Sequence, residues 1–102
     1  MELEYLKSNP EITFEDFLNL SQTLKKFKSL RGREYEVREW QQTKMIFKRK
    51  STNQIWKMDM CDVYKAYIEL KSFKTSNFKP YLNRTYSPAL GLLITLKLLS
   101  KE

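Results

Sequence analysis

A chain of 102 residues, 41% apolar and 14% aromatic, has the length and apolar content of one small domain with its own core. It holds no histidine and a single cysteine, Cys61; this excludes histidine-based catalysis, an internal disulfide and nearly every zinc site. Nineteen Lys and Arg against twelve Asp and Glu leave a formal net charge of +7, a field that attracts polyanions, with nucleic acid first among them.

The opening segment, residues 1–12, reads as an acidic N-terminal arm, with a single α+β domain over residues 13–102. Its Glu2, Glu4 and Glu11, with Glu15 and Asp16 just beyond, face one base, Lys7. It has no basic start followed by an apolar run, so no secretory signal is expected. Asn9-Pro10 closes it as a turn.

Thr13, with Asp16 three residues on, resembles a capping box and opens a helix. Phe14, Phe17, Leu18, Leu24 and Phe27 recur at helical spacing, which predicts a helix running past Lys28 and ending near Gly32. Three β-prone segments follow: Glu34 to Trp40, Thr43 to Lys50, and Gln54 to Met58. Short turns at Gln41-Gln42 and Ser51-Asn53 join them into an antiparallel meander. In the second strand Met45 and Phe47 share one face, and Lys44, Ile46, Lys48 and Lys50 share the other.

Asp59 and Asp62 mark a second helix start, and Met60, Val63, Tyr64 and Tyr67 carry it to about Lys71. Ser72 to Tyr86, interrupted by Pro80, predicts a long loop with one short helical turn. Ser87-Pro88 opens a last helix, apolar on nearly every side, to about Ser100. The expected fold is α+β: a helix, a three-stranded antiparallel meander, then two helices packed on one sheet face. The apolar run of Ala89 to Leu99 is too short to span a bilayer, which takes about 20 residues, so no membrane partner is expected.

Two stretches carry bases and no acid: Gln41 to Met58, and Leu70 to Lys101. The first places Lys44, Lys48, Arg49 and Lys50 on the second strand and its turn. Basic side chains on a strand can clamp phosphates. The second contains a loop in which bases and aromatics interleave: Lys71, Phe73, Lys74, Phe78, Lys79, Tyr81 and Arg84. Rings of this kind stack on unpaired bases or peg a loop to the core. Pegging is the expectation for Phe73 and Phe78.

The element order resembles, in topology, double-stranded-RNA-binding domains and the sheet-reading DNA-binding domains of phage-type integrases and plant transcription factors. Where the first family carries a Lys-Lys-x-Ala-like signature, this chain places Asp59 and Asp62, and no residue pattern assigns either family.

The expected function is a small, non-enzymatic nucleic-acid-binding module in the cytoplasm, contacting phosphate through Lys44, Lys48, Arg49, Lys50, Lys71, Lys74, Lys79 and Arg84. Neither a metal nor another cofactor is expected. An acidic protein partner is the alternative, with this chain as its inhibitor or subunit. A weaker alternative is a Mg²⁺-dependent nuclease using Asp59 or Asp62 with Glu69 and Lys71. The leucines of the helix 88–100 form a homodimer interface if the domain does not cover them itself.

Overall fold

The computed structural model describes residues 5–29, 32–71, 73–82 and 84–101. The fold is α+β. Four antiparallel strands form a meander in the order β2 (Lys26–Lys28), β3 (Glu34–Gln41), β4 (Lys44–Arg49) and β5 (Ile55–Asp59). Helices α1 (Phe14–Gln22), α2 (Met60–Glu69) and α3 (Tyr86–Thr95) lie on one side of this sheet. A separate pair of short strands, β1 (Tyr5–Lys7) and β6 (Leu99–Lys101), joins the two ends of the described chain.

The first helix starts where its cap demands. Thr13 Oγ1 accepts a hydrogen bond from the Asp16 N–H at 3.1 Å. It stops well short of the predicted end. Ser21 Oγ donates to the Phe17 carbonyl at 2.8 Å and Thr23 Oγ1 to the Leu20 carbonyl at 2.6 Å. Such back-bonding hydroxyls compete with helix continuation. Beyond them Lys26-Phe27-Lys28 alternates exposed, buried, exposed, which is a strand period. Phe27 therefore enters the core from β2, and the sheet has four strands where the spacing predicted three. Gly32, with φ of 84°, belongs to the β2–β3 turn and not to a helix end.

The second helix conforms to its sequence signal. Asp59 Oδ1 accepts from the Cys61 N–H at 2.9 Å and from the Thr43 hydroxyl at 3.0 Å. One carboxylate thus caps α2 and ties it to the β3–β4 turn. The segment after α2 contains one 3-10 turn, Thr75–Phe78, within an otherwise irregular path.

The last helix begins at Tyr86 and ends at Thr95, shifted and shortened relative to the prediction. Pro88 still falls within the first turn, where no N–H is required. The helix ends in a Schellman turn: the Leu98 N–H donates to the Leu93 carbonyl, and the Lys97 N–H to the Ile94 carbonyl. Lys97 occupies the left-handed position with φ of 62°. Replacing Lys97 with glycine removes this strain, so stability is expected to rise by about 1 kcal/mol, read as a Tm increase of several degrees.

Of the predicted N-terminal arm, residues 1–4 lie outside the described residues, and residues 5–12 connect with the rest of the fold. Residues 5–7 pair with 99–101, and Ile12 sits in the core. Tyr67 holds this junction. Its hydroxyl donates to the Leu98 carbonyl at 2.9 Å and accepts from the Asn9 N–H at 3.1 Å. Tyr67→Phe leaves both groups without that partner and is expected to cost about 1–3 kcal/mol, measurable by urea unfolding.

The core lies between the inner sheet face and the helices. Phe27, Tyr35, Met45, Phe47 and Met58 come from the sheet, and Phe17, Val63, Tyr67, Leu90 and Leu93 from the helices. The segment Pro88 to Leu93 is buried throughout. The leucines of α3, a homodimer surface only if left uncovered, are therefore largely buried inside one chain, where β2, the 3-10 turn and β6 pack around the helix. Among the described residues no helix is long and apolar enough to cross a membrane.

Candidate nucleic-acid interface

Strand register decides which charges share a surface. Phe27, Tyr35 and Arg49 lie in one cross-strand row, and Val37, Phe47 and Trp56 in another. Trp40, Met45 and Met58 form a third. All these residues face the helices. The other face carries Lys26, Glu36, Lys48 and Ile55 in one row, with Lys28, Glu34 and Lys50 at its end. Further along come Glu39, Ile46 and Lys57, then Gln41, Lys44 and Asp59. On this face Lys26, Lys28, Glu34, Glu39, Gln41, Lys44, Lys50, Ile55 and Lys57 are exposed.

The bases predicted together on the second strand are thus divided. Lys44, Lys48 and Lys50 share the outer face. Arg49 does not join them, because successive strand residues alternate sides. It pairs with the buried Tyr35, and its Nε is buried without a hydrogen-bond partner.

The outer face is not uniformly basic. Strand β3 contributes a line of acids, Glu34, Glu36 and Glu39, between the lysines of β2 and those of β4. Glu34 lies 3.8 Å from Lys28 Nζ and 3.9 Å from Lys50 Nζ, and Arg38 reaches Glu36 at 3.2 Å. These are long, solvated pairs, worth about 0–1 kcal/mol each, and they leave the lysines exchangeable. Lys48 donates to Asn53 Oδ1 at 3.3 Å. Lys44 and Lys57 make no ion pair with described residues. Bases still outnumber acids on the face, most strongly at its β2–β3 and β4–β5 turn end. There Lys26, Lys28, Lys50 and Arg33 surround Glu34, which lines a recess of about 330 Å³ shared with Phe27, Tyr35 and Thr95 and another of about 390 Å³ shared with Arg33 and Ser51.

A register irregularity between Val37 and Glu39 places Arg38 as an extra residue opposite the β4 ladder. This β-bulge keeps Glu39 beside Ile46 on the outer side. Ile46 is only 8% exposed among these charged neighbours, whereas Ile55 at the edge is 59% exposed.

The predicted loop bases sit elsewhere. Phe73 and Phe78 are pegged into the core, and Tyr81 donates to Glu69 Oε1 at 3.2 Å. Burial and the adjacent Glu69 carboxylate hold the Tyr81 phenol above its ordinary pKa. Lys71 lies near Lys7, whose pKa is lowered by burial and by that second charge. Lys7 Nζ donates to the Ile68 carbonyl at 2.8 Å and rests 5.8 Å from the Tyr67 and Phe73 ring centroids. Lys71, Lys74 and Lys79 accordingly belong to the helical layer, behind the sheet. The two regions approach at the Lys44 end, where Leu82 and Thr85 line a recess of about 320 Å³ with Lys44, Lys57, Asp59 and Asp62. Arg84 lies between those loop residues in sequence and is exposed.

The acids considered for metal chemistry are spread along one helix. Asp59 and Asp62 open α2 and Glu69 closes it, so Asp59 and Glu69 stand about 15 Å apart. Among the described residues no cluster of three potential metal-ligating side chains occurs.

Lys26, Lys28 and Arg33 were absent from the sequence-predicted site. The signal available was the Lys-Phe-Lys alternation, which the helical spacing of Phe17, Leu24 and Phe27 obscured. No family model, curated protein or solved structure matches this chain.

Proposed function

We propose that this protein is a nucleic-acid-binding module that holds phosphate on the outer face of its four-stranded sheet. The observation that carries this reading is the exposed face itself, on which Lys26, Lys28, Lys44, Lys48, Lys50 and Lys57 stand together from three different strands. Solvated lysines of this kind exchange their weak intramolecular partners for phosphate and release the counterions of a polyanion. The loop bases Lys71, Lys74 and Lys79 lie on the opposite layer and take no part in the same contact. Lysine offers a point charge and not a bidentate fork, so the contacts position a backbone and do not read bases.

Binding of labelled oligonucleotides, followed by fluorescence anisotropy across a salt series, tests the reading. Association should be strong at low salt and fall steeply as salt rises. Absence of association at low salt with every DNA and RNA probe overturns it. Glu34→Gln removes the acid between Lys28 and Lys50 and is expected to tighten binding several-fold, since one like charge no longer opposes the phosphate. Unchanged or weaker binding in that variant places the contact away from this end of the sheet.

A further inference from the structure

We infer that the nucleic acid held by this face is a duplex, gripped across its two backbones by the lysines of β2 and of β4. This rests on the phosphate-binding reading above and narrows its substrate class.

Binding of unpaired bases draws about 1–3 kcal/mol per base from stacking on aromatic side chains. This chain is rich in aromatics, yet none whose side-chain burial is described is fully exposed, with Phe14, Trp40, Trp56, Tyr64, Tyr81 and Tyr86 half-buried, and none of them lies on the outer face of the sheet. On the sheet, Phe27, Tyr35, Trp40, Phe47 and Trp56 all face the helices. In the loop, Phe73 and Phe78 are buried and Tyr81 is bonded to Glu69. The apolar side chains on the outer face are Ile46 and Ile55, which offer no π-face. A single strand would find charge here and no platform for its bases.

Lys26 and Lys28 form one row along β2, and Lys48 with Lys50, one residue past the end of β4, a second. Between them runs β3 with Glu34 and Glu36. Adjacent strands are about 4.8 Å apart, so the two basic rows stand about 10 Å apart with an acidic row at the midline. One line of phosphates laid on either row leaves the other idle and lies beside the glutamates. Two lines of phosphates flanking a groove engage both rows. The glutamates then face the open groove, which is about 6 Å wide on the minor side and about 12 Å on the major side of B-form DNA. The guanidinium of Arg38 is engaged with Glu36, and the lysines of both rows offer point charges and not bidentate forks, so the grip is independent of sequence.

The test compares duplex DNA, duplex RNA and their component single strands, of mixed sequence, at matched salt. Tighter binding of the DNA or the RNA duplex than of its own strands, by about tenfold or more as stacking-free binding requires, supports the inference and identifies the preferred sugar. Two pairs of substitutions, Lys26→Gln with Lys28→Gln and Lys48→Gln with Lys50→Gln, separate the rows. About four neutralised phosphates give a slope near −3.6 for log K against log salt on B-DNA, and each pair should bring it to about −1.8. These positions are solvent-facing, and far-UV circular dichroism verifies that both variants stay folded. Equal or tighter binding of single strands overturns the duplex inference and leaves phosphate binding standing. Loss of slope with one pair and not the other overturns the two-backbone grip. No binding of any probe overturns both readings.

Discussion

Gly91→Ala is expected to be among the most damaging single substitutions in this protein, although alanine is the better helix former. A Cβ at this position would lie 2.2 Å from the Lys28 carbonyl oxygen, 2.7 Å from Ser29 Cα and 2.9 Å from the Lys28 carbonyl carbon. All three are backbone atoms, so no side-chain rotation relieves the overlap. Either α3 or β2 must move by more than an ångström, in a region where Leu90, Leu92 and Leu93 are fully buried. Overpacking of this kind costs about 1–3 kcal/mol, and more where only backbone can yield. The gain in helix propensity, about 1 kcal/mol, does not offset a displacement of a whole strand. A loss of about 3 kcal/mol is a large share of the stability of a domain this size. It corresponds to a fall in Tm on the order of 10–20 °C, read by far-UV circular dichroism. An unchanged or raised Tm would mean that α3 does not press against β2 this closely. The consequence reaches the interface, because β2 is an edge strand that pairs only with β3 and is held on its inner side by α3.

Neutralising Lys26, Lys28, Lys48 and Lys50 together should lower duplex affinity on the order of 1000-fold near 0.1 M salt, since each lost phosphate contact removes about 0.9 from the salt exponent. Stability should change little. The ion pairs lost are those of Glu34 with Lys28 and Lys50, long and solvated. Lys71→Gln with Lys79→Gln removes charge from the helical layer and should leave the salt slope as it is. A slope reduced equally by both sets would indicate a diffuse response to net charge and not a contact face. A slope reduced only by the second set would move the site to the loop.

Much of the fold was legible in the chain. Thr13 with Asp16 and Asp59 with Asp62 mark helix starts, and both helices form there, capped by Thr13 and Asp59. Met45 and Phe47 point inward because period-two alternation in a half-buried strand leaves no other choice. The apolar run from Ala89 is a core helix because a segment apolar on every side must be covered on every side. What misled was a segment that satisfied two periods. Phe17, Leu24 and Phe27 fit a helix, while Lys26-Phe27-Lys28 fits a strand. The back-bonding hydroxyls of Ser21 and Thr23 settle the conflict, and serine and threonine carry that competition only weakly in sequence.

The candidate interface was less legible. Sequence alone determined that β4 presents lysines on one side, since a side chain's face follows from its position in its own strand. It also determined that the chain has no histidine and a single cysteine, which leaves many chemistries out of reach. Only the tertiary structure decided that β3 lays glutamates beside those lysines, that β2 adds a second basic row, and that the loop bases lie behind the sheet. The physical reason is that alternation is a local property, whereas cross-strand neighbours depend on register. Register is set here by the turns at Gly32 and Gln42, by the bulge at Arg38, and by the packing of Gly91 against Lys28. Two acid-free stretches that look alike in sequence therefore end on opposite layers, and the surface proposed to meet phosphate is assembled from strands that the chain by itself does not place side by side.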